Sequence, residues 1–525
     1  MSRFINRTVE IIFWIFAAAL LVCVALSGGS IVFGNYKLYL LAAILLVFCA
    51  LFFVFGKDVY SFADRKLLAP VKNASVMTLA IVLGLVTLVT KLIFVLLLDN
   101  DANLHPDMQR YLAFANNIAN DGKITDYVWY AYRHKRTAIY GMILAPFAWL
   151  FGSDTQALTS GLTILVAISN VLLFDIIRKK TGKNIAFVGL MIYNLMPVGL
   201  FQTQLLIHET ALMFFHILSV WLMVKAAEKK FSVPVKLLFL VLSAVSIAIG
   251  KSVNPAGAVV VIALIIMTFI YIIKDRITLA KLAKFACLAL AFLVVMSASE
   301  KVLTATVNTM IPEDASYHSI SEKKVKNGWT IYLAFNYEHA GGWNEEDYTT
   351  YYAYEQIEDV EEAREYQTNL VKERLGEYLE DPLKIPSLFV RKFYILWGNM
   401  WMSISYQQGN HIESFLNNGM GKMIYVAMYL FSVMWYLIAL TTILFARRKR
   451  RFQEPDDLVS PNIHFKMVIL GVTAALLVSE VMAKYTSHLQ ILIFVIWLYE
   501  LKDFCVTSGT VKEKLLGKLK KKDID

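Results

Sequence analysis

Cysteine is scarce, with four in 525 residues. Cys23, Cys49 and Cys287 lie in apolar runs and Cys505 lies near the end of the chain. Neither a disulfide framework nor a thiolate metal spacing is written there. No segment reads as a glycine-rich phosphate loop of the P-loop or Rossmann type. Charge is thin too: 18% of residues are charged against 58% hydrophobic, and the mean hydropathy is +0.55. These absences exclude a disulfide-stapled secreted domain, and a soluble protein of this length is rarely so apolar.

What fills the chain is a series of apolar runs of roughly 17–25 residues, the length that crosses a bilayer. About twelve are legible, near 10–33, 38–56, 75–98, 157–177, 185–203, 208–226, 235–250, 255–273, 280–298, 421–446, 463–482 and 487–501. In lipid every backbone polar group must be satisfied within its own segment, so each run predicts a helix. The first run follows Arg3 and Arg7 and lacks a small-residue cleavage signature, so it reads as a retained helix.

The net charge of +10 raises the question of nucleic acid. Its distribution answers no. Arg65/Lys66, Arg178 to Lys180, Lys229/Lys230, Lys274/Arg276, Arg447 to Arg451 and the tail after Lys512 fall between alternate runs. Short Lys/Arg loops mark the cytoplasmic side, which places both termini inside. The opposite loops then face outward. The longest, about 299–385, holds 18 Asp/Glu against 8 Lys/Arg. The inner loops among the middle helices are each under about 16 residues, too short to fold a nucleotide-binding domain. An activated substrate must therefore arrive on the outer face already attached to something membrane-borne.

The predicted organisation is a two-helix N-terminal extension (1–74), a membrane core (75–298) with an outer loop at 99–156, and a large outer loop (299–420). C-terminal membrane helices (421–501) and a basic cytoplasmic tail (502–525) complete it. Pro106 can open a helix and Gly122 can close it. Between them Tyr111, Phe114, Ala115 and Ile118 share one face, as in an amphipathic helix at the membrane surface. Aromatic residues from Tyr127 to Tyr132 and the basic run Arg133 to Arg136 make a seat for lipid phosphate. The apolar piece from Pro386 to Trp397 is read as interfacial, because a crossing there would turn Arg447 to Arg451 outward.

Ionisable residues gather on the outer side. Asp107 reads in two ways: a first-turn carboxylate that complements the helix dipole, or a general base that takes a proton from an acceptor hydroxyl. Asp99 and Asp101 form a D-x-D, which either holds a divalent cation through oxygen ligands or simply ends a span. Arg110, Tyr111, His208, Glu209, Lys251, Asn254, Glu480, Lys484, Tyr485 and His488 share that face. Glu480 and Lys484 also read as a plain i, i+4 ion pair. Convergence on one face carries more weight than any single member.

The ordered set resembles the polytopic glycosyltransferases of the GT-C fold. It is most similar to the bacterial branch related to protein O-mannosyltransferases and the lipid A aminoarabinose transferase. In that family an acidic residue of the first outer loop is followed by Tyr at +4 and Ala at +8, as Asp107, Tyr111 and Ala115 are here. Met108 stands where the family usually has Glu. Pro146 with Leu150 to Gly152, Asn194 to Pro197, His208 to Thr210, Arg391/Lys392 before Trp397, and Glu480 with Lys484-Tyr485 follow in family order. The resemblance spans roughly 75–500.

The resemblance implies an all-α, multi-pass membrane protein with an outward-facing active site and a sugar donor carried on polyprenyl phosphate. It implies inversion at the anomeric carbon and an acceptor that is an envelope glycan, lipid or protein. It makes Asp107 the base, with Asp101 as a second carboxylate. Arg133, Lys135, Arg136, Lys251 and Lys484 become candidates for the donor phosphate. Arg110, Tyr111, His208, Glu209, Glu480, Tyr485 and His488 become candidates for the cavity. No cofactor is required and no nucleic acid is bound. A flippase or transporter of lipid-linked saccharides is the alternative class; it predicts charges within the spans, where Lys91 is the clearest one. A polymerase or ligase using the same donors is a nearer rival. A non-catalytic member is a third.

Overall fold

The computed structural model describes residues 2–33, 38–97, 106–196, 199–200, 203, 205–273, 277–313, 322–398, 419–446 and 461–522. These residues form helices and turns, with no strand among them. Each of the twelve apolar runs contains a helix: α1 (Ser2–Phe33), α2 (Leu38–Ala63), α3 (Val76–Leu97), α7 (Thr155–Thr181), α8 (Lys183–Leu195), α9 (His208–Ala227), α10 (Val233–Val253), α11 (Gly257–Ile272), α12 (Leu279–Met310), α17 (Gly419–Phe445), α18 (Pro461–Leu477) and α19 (Ser487–Lys522).

Twelve crossings are not all supported. Among the described residues seven helices are long and apolar enough to cross a membrane: α1, α2, α3, α7, α9, α10 and α12. The helices at 257–272, 429–445 and 461–477 are apolar but shorter. With its 13 residues, α8 reaches only about 20 Å at 1.5 Å per residue, short of a ~30 Å hydrocarbon core.

Between the apolar helices lie two elaborated segments. The first carries α4 (Pro106–Asp121), α5 (Val128–Arg133) and α6 (Lys135–Phe151). Pro106 occupies the first position of α4, and Gly122, at φ +67°, ends it. Met108, Tyr111, Phe114 and Ala115 are buried, and α4 packs on α6. Gly141 permits that approach: a Cβ there would lie 2.5 Å from the Cβ of Phe114. The sequence pattern gave α4 its ends and face but did not reveal α6, whose Pro146 lies inside the helix.

The second segment carries α13 (Gly328–Ala334), α14 (Glu345–Tyr352), α15 (Val360–Glu380) and α16 (Lys384–Gly398). Helix α12 runs on to Met310, so the large loop begins as an extension of that helix. Helix α16, with 15 described residues, contains the apolar piece read as interfacial. Its continuation at 399–406 lies outside the described residues.

Candidate active site

Asp107 stands in the first turn of α4 with its side chain 28% exposed. Three elements converge on it. The Tyr130 hydroxyl, from α5, donates to Oδ1 at 3.0 Å. Arg110, one turn along α4, donates to the same oxygen at 3.3 Å and lies over the Tyr130 ring, 4.0 Å from its centroid. Lys484, from the short turn Ala483–Thr486, stands 3.7 Å from Oδ2. The carboxylate is thus turned to tertiary partners, which the dipole reading alone does not require.

Met108, at the position where the family pattern has a second acid, is buried in the cluster beneath α4. Other carboxylates come from distant parts of the chain. Glu209, near the start of α9, is fully buried, with Oε2 2.8 Å from Nδ1 of His208 and Oε1 accepting from Asn254 at 3.4 Å. Glu480 lies beyond the end of α18. Burial pushes its carboxyl above the usual range, against the opposing pull of the Tyr485 hydroxyl, Lys484 and Arg136. Because α18 ends at Leu477, Glu480 and Lys484 do not share a helix, and the i, i+4 pairing read from the sequence has no helix to rest on.

The surrounding phenols locate the rest. Burial raises the Tyr111 hydroxyl well above its usual range, and Asp107, Tyr130 and Glu209 add to the effect. Burial likewise raises Tyr485, helped by Glu480 and Glu209. The Tyr111 ring meets Tyr140 edge-on at 5.0 Å and stands 6.0 Å from the His208 ring. His488, at the start of α19, is buried. Asp107, Glu209, Glu480, Arg136, Lys484 and these tyrosines therefore share one electrostatic neighbourhood.

The remaining cations sort by their partners. Arg133 pairs with Glu355 and is flanked by the rings of Trp129 and Tyr352, at 5.0 and 4.7 Å. Lys135 donates to Asn308 at 2.8 Å, and Lys251 to Glu300 at 2.8 Å. Those three tie the first loop and α10 to neighbouring elements. Arg136 instead faces His134 and Lys324 of the large loop. Burial, then Arg136, Lys324 and Arg133, hold the His134 imidazole well below its usual range. Burial, Arg133 and Arg136 also lower the Lys324 ammonium. Positive charge gathered this way favours an anion nearby.

Sequence reasoning named Asn254 among the outward-facing residues and His134 only within the basic run Arg133 to Arg136, and it did not single out Tyr130 or Lys324 as site residues. Tyr130 was legible only as part of an aromatic run, and Lys324 only as one lysine of an acidic loop. Asp99 and Asp101 lie outside the described residues, and among the described residues no group of three or more His, Cys, Asp or Glu is placed to hold a metal ion.

The turn that carries Glu480 and Lys484 is fixed from α16. Lys392 donates to the carbonyls of Leu477 and Ser479 at 3.0 and 2.9 Å, and burial pulls its ammonium down to about 8. Val481 N donates to the Gly341 carbonyl at 3.0 Å, and Thr486 Oγ1 to the Leu396 carbonyl at 2.7 Å. Gly341, at φ +73°, leaves room for Lys392; a Cβ there would lie 2.4 Å from Lys392 Cε.

Comparison with known proteins adds the following. Residues 135–299 match the family model described as dolichyl-phosphate-mannose-protein mannosyltransferase. No curated protein matches the chain. Among solved structures, the crystal structure of ArnT from Cupriavidus metallidurans in the apo state aligns at 13% identity. The alignment covers 82% of this chain and 76% of that one, with a TM-score of 0.35. The matched family segment runs from α6 into α12 and includes His208, Glu209 and Lys251. It supports the resemblance drawn from the sequence: a membrane glycosyltransferase of the GT-C kind.

Proposed function

We propose that this GT-C glycosyltransferase moves a sugar from a polyprenyl-phosphate carrier to a cell-envelope acceptor on the outer face of the cytoplasmic membrane. Both termini then lie inside. The observation that carries this reading is the convergence of Lys484, Arg110 and the Tyr130 hydroxyl on Asp107, beside Glu480 and the cations Arg136 and Lys324.

In this reaction Asp107 takes the proton of the acceptor hydroxyl as its oxygen bonds to the anomeric carbon. The bond from that carbon to the carrier's phosphate oxygen breaks on the opposite face, and configuration inverts. The phosphate leaves with the bonding electron pair and gains a negative charge, which Arg136 and Lys324 stabilise. Arginine can hold it through two parallel hydrogen bonds and lysine as a point charge. With cations from side chains at the leaving group, the reaction needs no metal.

A flippase would want charged groups along a path through the spans. Lys91, the notable buried charge within α3, instead donates to the backbone carbonyl of Gly199 and so ties α3 to the chain beyond α8. The test uses purified protein in nanodiscs, offered polyprenyl-phosphate sugars one at a time with a crude envelope acceptor. Release of free polyprenyl phosphate is the readout. Asp107→Asn should lower it by roughly 10²–10⁴-fold, the usual contribution of a general base. Wild-type release from that variant would remove Asp107 from the role.

A further inference from the structure

A chain of aromatic rings leads away from Asp107 into the large loop. Tyr130 bonds the carboxylate, and Trp129 lies beside it with ring centroids 5.4 Å apart. Arg133 bridges Trp129 to Tyr352, Tyr352 meets Tyr348 at 4.7 Å, and Tyr348 meets Trp343 at 6.4 Å. The series crosses from the first loop to the large loop without a gap and ends on Trp343, which is 51% exposed.

The chain on either side of Trp343 is held in place. Asp347 N donates to the side-chain Oδ1 of Asn344 at 2.8 Å, which caps α14, and Gly342 N donates to the His339 carbonyl at 2.9 Å. A large apolar ring in the open, at the end of a half-buried series, offers a flat stacking face to a ligand. A membrane surface fits poorly. Glu345 and Glu346 are exposed immediately beside Trp343, and the loop carries the acidic excess already noted, so anionic headgroups and anionic polymers are repelled. Rings that present a flat apolar face, flanked by carboxylates that accept hydrogen bonds, match one ligand chemistry closely. A pyranose has an apolar C–H face that lies on aromatic rings and an equatorial rim of hydroxyl donors.

We infer that the acceptor is an uncharged glycan chain laid along Trp343, Tyr348, Tyr352 and Trp129, with its reactive hydroxyl delivered to Asp107. This deepens the glycosyltransferase reading and rests on it. Long-range placement by the rings makes the acceptor a polymer rather than a single sugar.

The test measures binding in the full-length protein in nanodiscs, with no donor present. The probes are fluorescently labelled linear hexasaccharides of glucose, mannose and N-acetylglucosamine, and a twelve-residue Ser/Thr-rich peptide. At least one hexasaccharide should bind. Its affinity should fall about three- to tenfold in Trp343→Ala, the range expected for one aromatic stacking contact, and return in Trp343→Tyr. Failure of every hexasaccharide to bind the wild type overturns the proposal, as does an affinity that ignores Trp343→Ala or a Trp343-dependent affinity for the peptide alone. If Trp343→Ala spares saccharide binding but abolishes quenching by brominated lipids, the rings are a membrane anchor and the proposal fails. Trp343-dependent saccharide binding together with a fully active Asp107→Asn would leave the acceptor track standing and sink only the catalytic assignment.

Discussion

Two buried lysines near the end of the chain live in opposite kinds of surroundings. Lys466, on α18, has no exposed side chain. It donates to Glu10 of α1 at 2.7 Å and to Glu500 of α19 at 2.9 Å, and Asn462 adds a bond to Glu500 at 3.2 Å. Lys484 has a side chain 6% exposed and stands 3.7 Å from Asp107, beyond hydrogen-bond length. The first is a closed network joining the first helix to the last two. The second brings a cation to a carboxylate whose side chain is still 28% exposed. A closed network fixes architecture, whereas an open one keeps a reactive group available. The largest effect that can break this contrast is Lys466→Met. It removes the buried cation that two carboxylates share and should destabilise the protein by about 3–5 kcal/mol. Thermal unfolding in detergent measures it, and transfer per folded molecule should stay near wild type.

Lys484→Met is the mirror experiment. Removing one charged partner from Asp107 should lower transfer by roughly 10- to 100-fold, the equivalent of a charge-assisted hydrogen bond, while the unfolding midpoint stays within a degree or so of wild type. Were Lys484→Met to unfold early and keep its rate, both lysines would be structural and the contrast would vanish.

The same contrast explains what was legible in the sequence. Helix-forming runs and the ends of α4 follow from local signals: apolar length, Pro106, Gly122 and the periodicity of Tyr111, Phe114 and Ala115. The gathering of Asp107, His208, Glu209, Glu480, Lys484, Tyr485 and His488 was legible as a shared membrane face, because topology is written in the basic loops. Partner choice was not. That Arg133 meets Glu355, Lys251 meets Glu300 and Tyr130 meets Asp107 depends on tertiary packing across tens to hundreds of residues. Local pattern carries no such information. Helix α6 escaped because its apolar residues follow a basic start and surround Pro146, which reads as a break.

Lys392 sharpens the contrast from a third side. It is fully buried, and among the described residues no carboxylate pairs with it; its ammonium donates to the carbonyls of Leu477 and Ser479. Carbonyls carry partial charge only, so desolvation is incompletely offset and the folded ammonium titrates near 8. In the unfolded chain a lysine titrates near 10.4. Below about pH 8 both states are protonated and the full penalty of the buried charge is present. Between there and the unfolded value the unfolded chain binds more protons, so stability rises with pH. The effect is a slope against pH rather than a loss of fold or of turnover. It is read as the difference in unfolding midpoint between wild type and Lys392→Met, scanned from pH 7 to 10. That difference should move in favour of the wild type as pH climbs, since Met has no proton to lose. A difference that stays flat would mean that the two carbonyls offset the desolvation completely, and that Lys392 belongs with Lys466 among the fully compensated buried charges.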